Sequence, residues 1–366
     1  MTTIRASDPD GPRPDAADAR DSSDAGSGNG SAPAPSAPAP SAPVPSAPAP
    51  SAEPRPAVAG GNGTGPSRGP LSVPRGLLKA MRPRQWVKNV LVFAAPFSAG
   101  KLFDPAVLPS VALAFVAFSL VASGVYLVND TKDVEADRAH PTKRHRPIAA
   151  GIVPPGLAVG AAVVLFAASL TVGALTDRNL LIVVAIYVVV QLAYCLWLKH
   201  EPVIDICIVS SGFLMRAIAG GAAAGLTLSP WFLLTMAFGS LFMASGKRYA
   251  EMRLAERTGA KIRKSLERYS ASYLRFVWSL SATVVIMAYG LWAFGINAMP
   301  GRATSTWAVV SIVPFVVAIL RYAVDVDGGN GGEPEEIVLR DRVLQVLGLA
   351  WVLTLVVAVY VQPALT

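Results

Sequence analysis

Charge is scarce in this sequence. Charged side chains make up 15% of its 366 residues and apolar ones 52%, with a mean hydropathy of +0.46. Soluble domains carry about 25% charge, so the balance excludes an ordinary soluble domain and points to a membrane protein. Cysteine is scarcer still. Cys195 and Cys207 both lie in apolar runs, where a free thiol behaves as a small hydrophobe. Two cysteines make neither a disulfide framework nor a zinc site, and three histidines are too few for a multi-histidine metal centre. The N-terminal region also lacks the continuous apolar stretch of a signal peptide, so none is expected.

What is present divides into two unlike parts. Residues 1–70 hold five basic and seven acidic side chains, so the whole of the +8 net charge resides in the remainder. From Ser31 to Ala52 the unit Ser-Ala-Pro-Ala-Pro repeats with one valine variation. Such a stretch has nothing to bury and favours solvated polyproline II. The sequence therefore predicts a disordered Pro/Ala/Ser-rich tail over 1–70 and a helical membrane domain over 71–366. An inert linker is the simplest role for the tail, with a spacer or partner-binding arm as the alternative.

Beyond Leu71, nine apolar runs alternate with short polar breaks, at roughly 85–100, 105–128, 157–175, 180–198, 203–225, 231–246, 275–296, 306–324 and 343–361. Most approach the ~20 residues that a membrane helix needs. The expected fold is an all-α polytopic bundle of nine transmembrane helices. The first and sixth runs are short, Pro96 interrupts the first, and Pro314 is placed to kink the eighth. One set of alternate loops holds Lys143, Arg144, Arg146, Lys199, nine Lys/Arg between Lys247 and Arg275, Arg340 and Arg342; the other holds only Lys101, Arg178 and Arg302. Basic loops stay inside, which predicts a multi-pass plasma-membrane protein with a cytoplasmic N-terminus and active site and an external C-terminus.

The second run ends in Tyr126-Leu-Val-Asn-Asp-Thr-Lys-Asp-Val-Glu-Ala-Asp137. If the helix continues, Asn129, Asp133 and Asp137 fall at i, i+4 and i+8 on one face, ~6 Å apart per step. Asp130 turns partly away and Glu135 more so. One small cation cannot take all three, but a cation shared with a diphosphate could, since Mg²⁺ combines one or two carboxylates with substrate phosphates and water. Asn129, Asp130, Asp133 and Asp137 are therefore the candidate metal ligands, the three aspartates being the candidate catalytic residues. The plainer alternative is a solvated acidic helix end balanced by Lys132 and Arg138. Against it, carboxylates at the mouth of a membrane bundle are costly unless exposed or liganded. The next segment, Arg138 to Gly151, sets Lys143, Arg144 and Arg146 close behind, and Pro141 and Pro147 allow it to fold back. Acid for a cation beside base for phosphate oxygens is what a metal–diphosphate site requires.

The run Asn-Asp-x-x-Asp-x-x-x-Asp at 129–137, followed by Lys-Arg-x-Arg-Pro-Ile at 143–148, resembles the first signature of the UbiA prenyltransferase superfamily. The resemblance covers residues 77–361. It implies a nine-helix intramembrane transferase that uses Mg²⁺ and a diphosphate-bearing donor. The second signature departs from the pattern. Most members carry an aspartate-rich run after the sixth span, where this chain reads Ser245-Gly-Lys-Arg-Tyr-Ala-Glu-Met-Arg253 with Glu251 as its single carboxylate. That swap, with Arg82-Pro-Arg-Gln-Trp-Val-Lys-Asn89 entering the first span, resembles the branch that makes decaprenylphosphoryl-phosphoribose. The implied donor is phosphoribosyl diphosphate and the acceptor a polyprenyl phosphate, here decaprenyl phosphate, with diphosphate released in making a lipid-linked sugar precursor of the cell envelope.

On this resemblance Lys247, Arg248 and Glu251 face the donor phosphates. Arg82, Gln85, Lys88 and Asn89 receive the lipid phosphate at headgroup depth, and Tyr194 with Lys199 matches a family Tyr-then-Lys pattern. The acceptor oxygen is already ionised near neutral pH, so the chemistry needs charge neutralisation and positioning rather than a strong base. Trp86 and Lys88 read equally well as interfacial anchors. In the fifth run Asp205 and Arg216 return to one helix face about 16 Å apart. Arg216 lies deeper and is the better substrate-binding candidate, a partner for backbone carbonyls being the alternative. The small residues 219–225 point to close helix packing, and Glu335, Glu336, Arg340 and Asp341 to loop and capping roles.

Two other functions are weighed. Prenyl transfer from a prenyl diphosphate to an aromatic or other small acceptor would use the second aspartate cluster that is missing here. A transporter would show internal repeats and clustered mid-membrane charge, neither of which is found. A homo-oligomer is left open and no nucleic-acid partner is expected. Deleting residues 1–68 should leave membrane insertion and turnover unchanged, because that composition supports no core. Loss of insertion on truncation, read by membrane fractionation, would count against the spacer role.

Overall fold

Proline and aspartate mark several helix starts of this chain. The computed structural model describes residues 72–259, 266–297, 306–328 and 334–362, all within one compact unit, Gly65–Thr366. The expected tail and its boundary at residue 70 lie outside the described residues. A short helix α1 (Ser72–Ala80) precedes a 3₁₀ segment, Pro83–Phe93, which runs into α2 (Ala94–Ser98). Then follow α3 (Leu108–Lys132), α4 (Val134–Ala139), α5 (Pro155–Thr176), α6 (Arg178–Leu196), α7 (Ile204–Ala223), α8 (Pro230–Thr258) and α9 (Ala271–Asn297). The last are α10 (Thr306–Val310), α11 (Ile312–Asp327), α12 (Pro334–Arg340) and α13 (Arg342–Val356), closed by a π turn at Val357–Val361. No strand occurs among the described residues.

The local reasons are visible. α5 and α8 begin at prolines, where a missing N–H has no intrahelical partner to lose. Asp177 caps α6 by accepting from the Asn179 and Leu180 amides at 2.7 and 3.3 Å. Asp341 caps α13 through the Val343 amide at 2.7 Å, each cap satisfying first-turn donors. Its hydrogen bond from Arg321, at 2.6 Å, holds the Asp341 carboxyl below the usual range.

Seven helical stretches are long and apolar enough to cross a membrane: α3, α5, α6, α7, α9, the α10–α11 pair, and α13 with its π turn. They match seven of the nine expected spans. α3 and α7 form the interior, each with 61% of its apolar stretch buried against 22% in α5. The expected break near Pro314 is present: the helix is interrupted at Ser311, because proline offers no N–H to the carbonyl of Val310.

The other two spans differ from expectation. The run 231–246 lies inside α8, which loses its apolar character at Lys247 and continues charged to Thr258. The run 85–100 is not one α-helix but the 3₁₀ segment joined to five-residue α2. Pro96 has no N–H to offer the carbonyl oxygen of Val92 as an α-helix would require. That oxygen faces Gly220 of α7 so closely that a Cβ there would lie 1.7 Å from it. The small-residue run 219–225 thus does serve packing, letting α7 meet the 3₁₀ segment backbone to backbone.

At one end of the bundle the basic breaks meet. Arg146 reaches back to α3, Lys199 to Asp133, Arg268 to the carbonyl of His200, and Arg257 to the carbonyl of Gly328. Gly220→Ala should lower stability by about 3 kcal/mol or more, since backbone must move. Gly160→Ala in α5, where a Cβ meets nothing within 4 Å, should be neutral or slightly stabilising. Thermal unfolding of the two variants in detergent checks the contrast.

Candidate active site

α3 carries its acidic residues out of the membrane, and the chain does not stay one straight helix. It breaks at Asp133 and restarts as α4, although Asp133 and Asp137 still donate to the carbonyls four residues back, at 3.0 and 2.8 Å. The expectation that Asn129, Asp133 and Asp137 share one face, with Asp130 turned partly away, is corrected here. Asp130 and Asp137 are the pair brought together. They are 2% and 3% exposed, and Nη1 of Arg146 bonds both, at 3.2 and 2.7 Å. Arg82 donates through Nη2 to the same Asp130 oxygen at 2.5 Å. Asp133 turns to another partner, the ammonium of Lys199, and Asn129 is half-buried. Spacing on an ideal helix misses this because the break at Asp133 and the fold-back after Pro141 decide which carboxylates face the arginines.

Arg82 reaches its place through backbone strain. Its φ of 56° is left-handed, uncommon for a non-glycine residue and typical of functional sites. The guanidinium lies 4.7 Å over the Tyr126 ring. Beside Asp130 is a cavity of ≈ 330 Å³ lined by Lys79, Arg82, Asp130, Thr142, His145 and Arg146. Lys79, Thr142, His145 and Tyr126 did not stand out in the sequence. Lys79 and His145 sit 66 positions apart in the chain numbering, with no local pattern to join them. Lys143 is half-buried in the same turn, and Arg144 is exposed, its Nε bonded to His145 at 3.4 Å.

A second polar cluster lies at the start of α7. Tyr269 donates to Asp205 at 2.5 Å and accepts from the Val203 amide at 2.5 Å. Val203 also has a positive φ, 69°. Burial, and then the bond to Asp205, push the Tyr269 phenol up, so it remains a donor. Arg248 stands 3.8 Å from Asp205 and 3.6 Å from Glu251, while Lys247 is half-buried beside it. Tyr194 is packed against the core. Tyr269 could not be found from the sequence, being 64 residues from its partner.

Asp205 and Arg216 do not meet. Arg216, 6% exposed, donates to Asn89 at 2.7 Å, to the carbonyl of Gly212 at 2.6 Å and to the Tyr187 hydroxyl at 3.3 Å. Its guanidinium also lies over the rings of Phe118, Tyr187 and Phe213. Asn89, expected at headgroup depth, is fully buried and donates to Ser119 at 3.0 Å. Trp86 donates to Ser123 at 3.0 Å, so its ring nitrogen is used internally, while Gln85 and Lys88 remain half-buried on the same segment. Arg216 and Asn89 thus tie α7, α6 and α3 to the 3₁₀ segment within the membrane.

The donor set suits a hard cation only in part. Asp130 and Asp137 approach one nitrogen and Asp133 lies a turn away, all oxygen donors of the kind Mg²⁺ prefers. Among the described residues no three His, Cys, Asp or Glu side chains converge as a complete ligand set. Protein ligands alone therefore make an incomplete shell, which phosphate oxygens would complete.

A family model, the UbiA prenyltransferase family, matches residues 90–340. The chain belongs to that family. It is a membrane transferase by that membership. A decaprenyl-phosphate phosphoribosyltransferase of Mycolicibacterium smegmatis is 61% identical over 300 residues, covering 80% of this chain and 94% of that protein. One of Corynebacterium glutamicum is 57% identical over 298 residues, covering 80% and 90%. Among solved structures, a UbiA homolog from Archaeoglobus fulgidus bound to GPP and Mg²⁺ superposes with a TM-score of 0.58 at 15% identity, covering 79% of this chain and 99% of that one. That likeness speaks for the fold.

The Tyr269 cluster yields a test. Tyr269→Phe removes a donor from Asp205 and an acceptor from the Val203 amide, so stability should fall by about 3 kcal/mol. A melting temperature equal to the parent's would show that the phenol does not hold this turn.

Proposed function

We propose that this chain transfers the 5-phosphoribosyl group from phosphoribosyl diphosphate to a polyprenyl phosphate, decaprenyl phosphate by likeness to its relatives, and releases diphosphate. The observation that carries this reading is the identity of 61% to a decaprenyl-phosphate phosphoribosyltransferase along 94% of that protein. The basic surroundings of the carboxylate pair support it. Arg82, Arg146 and Lys199 already lie against Asp130, Asp137 and Asp133, and cations in that position support a reading in which they bind donor phosphate oxygens beside the carboxylates.

In the transfer, a lipid phosphate oxygen forms a bond to the ribose anomeric carbon as the bond from that carbon to diphosphate breaks, its electron pair leaving with diphosphate. No proton must be removed, which fits a site built from ion pairs. Asp130, Asp133 and Asp137 would hold Mg²⁺, which neutralises charge on the departing diphosphate. Arg82, Arg146 and Lys199 exchange carboxylate for phosphate oxygens. Lys143 and Arg144 lie on the same turn, and Lys247 and Arg248 extend the positive field from α8. Arg216 and Asn89 act on the site by fixing the 3₁₀ segment that carries Arg82, Gln85 and Lys88.

We infer nine crossings, counting the broken first segment and α8, with the polar end and the N-terminus cytoplasmic in the plasma membrane; the basic loops on that end support this orientation. Residues 1–70 are read as a tail, and a lipid-linked precursor of the cell envelope as the product. Prenyl transfer remains the second reading; Lys247 and Arg248, where aspartates would hold a prenyl diphosphate, favour the first.

Purified protein with Mg²⁺, labelled phosphoribosyl diphosphate and decaprenyl phosphate should move label into the lipid phase. EDTA should stop it. Asp133→Asn and Asp137→Asn should each lower turnover by at least about a hundredfold with expression maintained, being two of the proposed metal ligands. Label left in the aqueous phase, together with consumption of a prenyl diphosphate by an aromatic acceptor, would move the assignment to prenyl transfer.

A further inference from the structure

The cavity beside Asp130 has more positive charge than its carboxylates use. At ≈ 330 Å³ it is within the size of small-ligand sites. Its wall has three cations, Lys79, Arg82 and Arg146, and the imidazole of His145 against one carboxylate, Asp130. Arg82 and Arg146 are bonded to Asp130, and Arg146 also to Asp137. Lys79 and His145 come from other elements, the last turn of α1 and the turn at 143–145. The left-handed backbone at Arg82 reverses the chain between α1 and the 3₁₀ segment, so Lys79 and Arg82 line one cavity. Arg144 donates to Nε2 of His145 at 3.4 Å, which leaves Nδ1 as the proton-bearing nitrogen. Thr142 also lines the wall, its hydroxyl 3.2 Å from Nδ1 of His140.

A neighbouring hollow of ≈ 410 Å³ shares Lys79 and Pro147 and is otherwise lined by Ser72, Arg75, Gly76 and Ile152. Lys79 stands where the cationic cavity adjoins this more apolar one.

We propose that Lys79 and His145 form a phosphate-monoester subsite distinct from the carboxylates that face the diphosphate. The proposal rests on the transfer reaction above and deepens it. Both substrates of that reaction present a phosphate monoester: the donor its 5-phosphate, the lipid its headgroup. A monoester offers terminal oxygens and nearly two negative charges, which suits a lysine acting as a point charge beside an imidazole donor. A prenyl diphosphate with an aromatic acceptor has no such group, so the subsite bears on substrate class.

The test uses the full-length enzyme and the variants Lys79→Met, His145→Gln and Lys79→Arg. KM is measured separately for phosphoribosyl diphosphate and decaprenyl phosphate, with ribose 5-phosphate and inorganic pyrophosphate as competing inhibitors. Lys79→Met and His145→Gln should each raise one KM about tenfold, the effect of losing one charge-assisted contact. The kcat and melting temperature should stay near the parent values, and Lys79→Arg should restore most of the affinity. A higher donor KM, with ribose 5-phosphate weakened as an inhibitor and pyrophosphate unchanged, assigns the subsite to the 5-phosphate. A higher lipid KM with donor kinetics unchanged assigns it to the lipid headgroup. If neither KM moves, or kcat alone falls, the subsite is overturned while the transfer reaction stands. A parent enzyme that moves no label into lipid overturns the reaction itself, and the subsite with it.

Discussion

Asp130 and Asp137 are nearly inaccessible at the mouth of a membrane bundle, where a buried charge is costly unless a cation lies against it. Arg146 supplies that cation to both through one nitrogen, and Arg82 adds a second to Asp130. Much of the polar end follows from this constraint. The chain must fold back after Pro141 so that Arg146 can reach its partners. The 3₁₀ segment must begin beside α3 so that Arg82 can. Removing one member would leave a buried charge unpaired, which costs more than the pair contributes.

The same constraint makes the site chemically adaptable. Ion pairs of this kind contribute little net stability because desolvation offsets much of the attraction. In the proposed reaction the guanidinium groups would therefore trade carboxylate for phosphate oxygens with small net change, a metal taking over the carboxylates. A purely structural cluster would be better served by apolar side chains of similar volume. Arg248 between Asp205 and Glu251 repeats the arrangement at the start of α7, where a positive-φ valine and a buried tyrosine hold the turn.

Local features were the legible ones. The acid-then-base run from Asn129 to Gly151 could be read because both halves lie within one stretch punctuated by prolines, and seven apolar runs could be read because composition alone defines a membrane helix. The break at Pro314 and the packing role of Gly220 follow from residue chemistry in the same way. Contacts at long range were not legible. Arg82 meets Asp130 across 48 residues and Lys199 meets Asp133 across 66, and nothing in either segment specifies the other. Asp130 and Asp137, rather than Asn129, Asp133 and Asp137, form the pair because a helix break and a fold-back outweigh ideal periodicity. Arg216 read as a substrate contact because charges within membranes so often are, and Asn89 because its run enters the membrane at headgroup depth; the two are instead bonded to each other across 127 residues.

That buried pair explains how a strained residue at the polar end stays in register. The 3₁₀ segment is held at three depths: by Arg82 on Asp130, by Asn89 on Arg216 and Ser119, and by the Val92 carbonyl against Gly220. A 3₁₀ helix rises about 2 Å per residue, so these anchors are spread over roughly 20 Å of segment. A lone short 3₁₀ helix has poor hydrogen-bond geometry and would slide or rewind; three attachments at different heights remove both freedoms. The strain at Arg82 is thus held by contacts deep in the membrane, well away from the charged groups it serves. Supporting interactions of this kind are what keep a site within a fraction of an ångström of working geometry. The segment that fails as a membrane-spanning α-helix by length and regularity is for that reason the one that positions Arg82, and with it the edge of the cavity.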